Sequence, residues 1–153
     1  MTFPYYKQEN DYTCGPACMR MILDSFGIKE TEKHLSKLLE ATPEEGSTSF
    51  IPFLKVAKKF GLECVEKKKA TIKDLKKLAN QDYRIIVCYM DLKDRKEQEG
   101  HYSVVKKIEN KKIYLYDPYY GPNNHFSLSY FNRIWKDKEI PDDEKGWLIA
   151  MKK

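Results

Sequence analysis

Residues 100–121 read GHYSVVKKIENKKIYLYDPYYG. Two runs rich in β-branched and aromatic residues, 101–108 and 113–117, flank the turn-like Glu109-Asn110-Lys111-Lys112. This is the pattern of two antiparallel strands joined by a tight loop. His101 opens the first strand and Asp117 closes the second, so a hairpin folding near Asn110 brings the two strand ends together. Parity decides whether they share a face. A two-residue loop at Asn110-Lys111 pairs Glu109 with Lys112, sets Asp117 opposite Val104 and turns His101 to the other face. A three-residue loop pairing Ile108 with Lys112, or a bulge, leaves Asp117 diagonal to His101 on the same face. Asn110 or Lys111 in a left-handed conformation could supply it.

Working outward, more strands are expected over residues 62–66, 84–90, 126–128 and 147–151. Ile85-Ile86-Val87 marks the strongest of them. Residues 130–135 read as a helical turn or short helix. The N-terminal part reads as helices. Pro16 suits the first turn of one that runs through Met21 to Phe26 and stops at Gly27. A second spans residues 31–39 behind the cap Thr31. A third spans residues 49–61, with Pro52 near its start and Phe50, Phe53, Leu54 and Ala57 at helical spacing. A fourth spans residues 72–78, where Thr71 and Asp74 approximate a capping box. Helices first and an antiparallel sheet after make an α+β arrangement.

The 153 residues are the size of one ordinary domain, and we take 1–153 as a single one. Apolar residues make up 41% and charged residues 33%, which fits a globular protein and not a disordered one. The formal charge of +5 comes from 28 basic and 23 acidic residues of interspersed sign, so a nucleic-acid role is not expected. The Lys67-Lys68-Lys69 run reads as a solvated face. No stretch has the length of a membrane span, and the N-terminus lacks the pattern of a signal peptide. A cytoplasmic location is therefore expected, with Cys14, Cys18, Cys64 and Cys88 as reduced thiols. Cys18, Cys64 and Cys88 read as core residues. No metal or cofactor is implied by any ligand spacing.

Cys14 precedes Gly15-Pro16 at the expected start of the first helix. Unpartnered backbone N–H groups and the helix dipole favour negative charge there, and both favour a thiolate nucleophile. Gly15 would leave room for a substrate carbonyl. On placement alone Cys14 could equally be a structural thiol. A thiolate needs a base. His34 sits mid-helix among polar residues, and His125 follows the turn-like Asn123-Asn124. His101 lies where a loop meets the sheet and is the candidate base, with Asp117 to fix its tautomer. Gln8, six residues before Cys14, could donate a hydrogen bond to an oxyanion beside the Cys14 N–H.

Residues 8–18, QENDYTCGPAC, taken with residues 100–121, resemble the C39 peptidases. These papain-like domains cut leader peptides from bacteriocin precursors after a double glycine. The resemblance runs in order from about Phe3 to Gly121, and Gly46-Ser47-Thr48-Ser49 also resembles the family's pattern. It implies a papain-like fold and catalysis by Gln8, Cys14, His101 and Asp117. The best-known members head large exporters with membrane spans and an ATPase. This chain has neither, so the resemblance implies a stand-alone C39-like domain or a fragment, acting on a peptide or protein substrate. A separate exporter or other partner protein is a further partner that the resemblance allows. Acyl transfer, deamidation, or a non-catalytic peptide-binding module on the same fold are the alternatives. Asp11, Tyr102 and Tyr119 are expected near the cleft. Tyr5, Tyr6, Tyr12 and Tyr120 would join them as aromatic walls, favouring a small residue before the cut, in line with the Gly-Gly or Gly-Ala preference of the family. The net charge implies only weak steering toward acidic substrates.

Overall fold

The chain was analysed as a computed structural model that describes residues 3–47, 50–92 and 99–153. The first helix, α1 (Cys14–Ser25), begins at Cys14, with the Ala17 amide bonded to the Thr13 carbonyl at 3.0 Å. Cys18, Met19, Ile22 and Leu23 are fully buried, and Gly27 ends the turn at φ 82°. Thr31 caps α2 (Glu32–Leu38) by accepting from the His34 amide at 3.0 Å. Pro52 lies in the first turn of α3 (Ile51–Lys59). The expected start of that helix at Ser49, together with Thr48, lies outside the described residues. Thr71 and Asp74 form the reciprocal capping box of α4 (Ile72–Asn80), at 3.1 and 2.9 Å. The last helix, α5 (Leu128–Trp135), is capped by Ser127.

The strands β1 (Glu63–Lys67), β2 (Arg84–Asp91), β3 (Glu99–Glu109), β4 (Lys112–Asp117), β5 (Gly121–Ser127) and β6 (Leu148–Lys152) form one antiparallel sheet in the order β1-β6-β2-β3-β4-β5. The N-terminal helices cover one face of it, where Ile22, Phe53, Tyr102, Val104 and Trp147 share a core. The arrangement is more layered than helices on one side only. Leu75 of α4 and Phe131 and Trp135 of α5 close the other face against Val87, Tyr89 and Leu115. Burial on both faces is why β2 reads as a nearly unbroken apolar run.

β5 is longer than expected: it begins at Gly121, not Phe126, although Pro122, Asn123, Asn124 and His125 carry no strand signature. It is an edge strand, where proline and polar residues are tolerated.

The β3–β4 hairpin settles the parity. Glu109 pairs with Lys112 around a two-residue turn, with Asn110 and Lys111 both left-handed (φ 52° and 62°). These two residues make a tight turn and do not supply the odd residue. The register shifts farther along, between Val105 and Lys107, so that Lys106 has no partner on β4. Val104 then pairs with Tyr116. Asp117 therefore comes opposite Ser103 and on the face of His101 two residues away.

Candidate active site

Asp117 is fully buried at the end of β4. Its Oδ1 accepts from His101 Nε2 at 2.8 Å and from the Tyr119 and Tyr120 amides at 2.8 and 3.0 Å. Its Oδ2 accepts from the Tyr89 hydroxyl at 3.1 Å and from Asn124 Nδ2 at 2.9 Å. Burial alone would raise its pKa. The His101 bond and charge outweigh this and, with the two amides, hold it down at about 2. The carboxylate thus caps the turn after Pro118 while it binds the ring. Turn chemistry at the strand end and a partner for histidine are one arrangement here.

His101 is also fully buried. Tyr89 and Tyr120 stand edge-on to its ring, with centroids 5.7 and 6.1 Å away. Burial favours the neutral imidazole, but the Asp117 hydrogen bond and the neighbouring Cys14 prevail and push the pKa up to about 10. Nε2 is taken by Asp117, and the other ring nitrogen, Nδ1, is buried without a hydrogen-bond partner. His34 and His125 lie elsewhere and are exposed, the first bonded to Glu30 and the second to the Asn123 carbonyl.

Cys14 is half-buried at the first position of α1. No side chain caps this helix. Thr13 spends its hydroxyl on Asn10 and on Glu32, whose Oε2 lies 3.1 Å away and also accepts from the Glu9 amide at 2.8 Å. Glu32 is buried, and burial raises its pKa despite these bonds. It clamps the segment leading into Cys14, a role hidden in a sequence that reads as an ordinary first helical turn.

Gly15 does not open space for substrate. A Cβ there would stand 3.0 Å from Phe53 Cζ and 3.1 Å from Ser47 Oγ, so the glycine permits close packing of α1 on α3. Gln8 is buried beside the same turn as Asp117, its amide N–H bonded to the Pro118 carbonyl at 2.9 Å. Its Nε2 donates to the Asn10 carbonyl at 2.8 Å, and its buried Oε1 has no partner.

A cleft of ≈ 520 Å³ opens from Cys14. Asp11, Tyr12, Phe50 and Tyr102 line it, as does Cys88, which is half-buried and packs against the core from the cleft side. Burial raises the Cys88 pKa. Cys18 is fully buried and Cys64 is half-buried on β1. The expected aromatic wall is only partly present. Tyr5 turns inward to the Asp117 carbonyl and Tyr6 turns away to Asp24. Tyr119 is 41% exposed, and Tyr120 bonds to Asp91 at 2.9 Å.

A cysteine at a helix N-terminus, packed against an antiparallel sheet that carries a histidine and its carboxylate, defines the papain-like fold. Residues 2–140 match the model of the Peptidase C39 family, and the chain belongs to that family. An uncharacterized protein of Methanothermobacter thermautotrophicus is 28% identical over 114 residues, covering 74% of this chain and 70% of the relative. Among solved structures, the peptidase domain of Streptococcus ComA, a bifunctional ABC transporter, superposes with a TM-score of 0.73 at 21% identity, covering 98% of both chains. A C39-like peptidase from Bacillus anthracis gives 0.73 at 14% identity, covering 99% of this chain and 95% of that one. A double glycine motif protease from an AMS/PCAT transporter, solved with a leader peptide, gives 0.67 at 18% identity, covering 97% and 89%. No helix among the described residues is long and apolar enough to cross a membrane.

Proposed function

We propose that this protein is a cysteine peptidase in which Cys14, His101 and Asp117 act as a triad. The observation that carries the reading is the buried His101, held by Asp117 through Nε2 at 2.8 Å and left with Nδ1 for a cysteine at an uncapped helix start. A pKa of about 10 keeps the ring protonated at neutral pH, which stabilises a Cys14 thiolate. The thiolate attacks the substrate carbonyl carbon, a C–S bond forms, and the carbonyl electrons move to oxygen. The first backbone N–H groups of α1 and the second Nε2 hydrogen of Gln8 are the donors proposed for that oxyanion. His101 gives its Nδ1 proton to the departing amine as the C–N bond breaks. It then takes a proton from water, which attacks the thioester and releases Cys14.

The preferred cut follows a small residue, glycine above all. Tyr12, Phe50 and Tyr102 narrow the cleft beside Cys14, and the relative solved with a leader peptide is a double glycine motif protease. The substrate is then the leader of a peptide precursor.

The test is digestion of a diverse peptide library, read by mass spectrometry, beside a Cys14→Ala control. Cleavage that vanishes in the control and clusters after glycine is expected. Cleavage that survives it, or none at all alongside a Cys14 inert to iodoacetamide at pH 6, would overturn the peptidase reading. Cuts mainly after leucine or phenylalanine would overturn the glycine preference alone.

A further inference from the structure

We propose that the cleft beside Cys14 selects a cationic stretch of peptide, with lysine or arginine on residues flanking the bond presented to that thiol. The part about cleavage rests on the peptidase reading, whereas the part about binding does not. The chain as a whole is basic, with 28 lysines and arginines against 23 acids. The cleft is the reverse. Asp11, Glu44, Glu45, Glu139 and Glu144 line it, and no lysine, arginine or histidine does so among the described residues.

The five acids come from separate parts of the chain. Asp11 precedes α1. Glu44 and Glu45 sit in the turn closed by the Thr42–Gly46 bridge, and Glu139 and Glu144 sit in the loop between α5 and β6. None of them takes part in an ion pair among the described residues. Nor does any group of acids there close up enough to hold a metal ion. Spread negative charge along a cleft suits an extended ligand with several separated cations, and a concave site concentrates its field.

The rest of the lining suits a peptide too. Phe50, Met90 and Tyr102 add apolar and aromatic side chains to the lining, which suits the methylene stems and charged heads of lysine and arginine. An acidic peptide would meet repulsion from these five acids, contrary to the steering that the net charge implied.

The experiment uses the Cys14→Ala protein and fluorescent peptides of one length around a Gly-Gly centre. Flanking residues are lysine or arginine in one peptide, glutamine in the second and glutamate in the third. Anisotropy should rank them basic, neutral, acidic. The basic peptide should bind about tenfold tighter than the neutral one at low salt, and the gap should shrink in about 0.5 M salt. The double variants Glu44→Gln/Glu45→Gln and Glu139→Gln/Glu144→Gln should each lose several-fold of that preference. Equal binding of the three peptides, or no binding of any, overturns the inference. Wild-type cleavage separates it from the peptidase reading. Charge-ranked binding without cleavage, beside a Cys14 inert to iodoacetamide at pH 6, would leave the inference standing and remove the reading, whereas Cys14-dependent cleavage indifferent to charge would do the opposite.

Discussion

Replacing Asp117 by asparagine separates its charge from its shape. The asparagine carbonyl can stay on the side of His101, Tyr119 and Tyr120, where three donors meet Oδ1. Its amide then faces the Tyr89 hydroxyl and Asn124. Both can adapt, because the Tyr89 hydroxyl has Ser103 Oγ 2.9 Å away as an alternative acceptor and the Asn124 amide can turn over. Folding should therefore survive at a cost of about 1–3 kcal/mol. His101 fares differently. Its rise from 6.5 to about 10 corresponds to at most roughly 5 kcal/mol in favour of the charged ring, shared between Asp117 and Cys14. With Asp117 neutral, burial dominates, the pKa falls and the thiolate–imidazolium pair dissolves near neutral pH. If Asp117 supplies most of that preference, Asp117→Asn should lower kcat/KM at pH 7 by about 10²–10³-fold, roughly 3–4 kcal/mol. The alkaline limb of the wild-type profile, expected as pH rises through about 10, should move down with it. Initial rates on a cleaved peptide from pH 5 to 10.5, beside thermal melts, measure both. A folded variant with activity within twofold of wild type and an unmoved alkaline limb would refute the reasoning.

The same linkage applies to stability. The raised His101 contributes fully below pH 6.5, and its contribution is lost as pH climbs through about 10. The depressed Asp117 contributes fully above pH 3.8, and its contribution is lost as pH falls through about 2. Urea midpoints across pH should carry both slopes, and the alkaline one should flatten in His101→Phe. Gly15→Ala should cost about 1–3 kcal/mol, because its Cβ would press on Phe53 and Ser47 at 3.0 and 3.1 Å, and a melt reads this as a lower Tm. His34→Ala and His125→Ala should leave kcat/KM within about twofold, since both rings are exposed and bonded elsewhere.

The readings that held in the sequence rest on local chemistry. Thr71 and Asp74 cap a helix because the reciprocal bonds need only residues three apart. Cys14 before Gly15-Pro16 announces a helix start for the same reason, and residues 85–87 announce a buried strand. The hairpin was legible too, down to the fact that parity would decide whether His101 meets Asp117. What tertiary structure alone decided lies in contacts between distant segments. The register shift at Lys106 is one, and no residue type there signals it. Tyr89 and Asn124 reach Asp117 from strands 28 and 7 residues away, and Glu32 grips Thr13 across 19. The acids of the Cys14 cleft are scattered from Asp11 to Glu144 in a chain of net charge +5. Composition averages charge over the whole surface, and only the fold, by bringing separate loops around one cavity, gives that cavity a sign of its own.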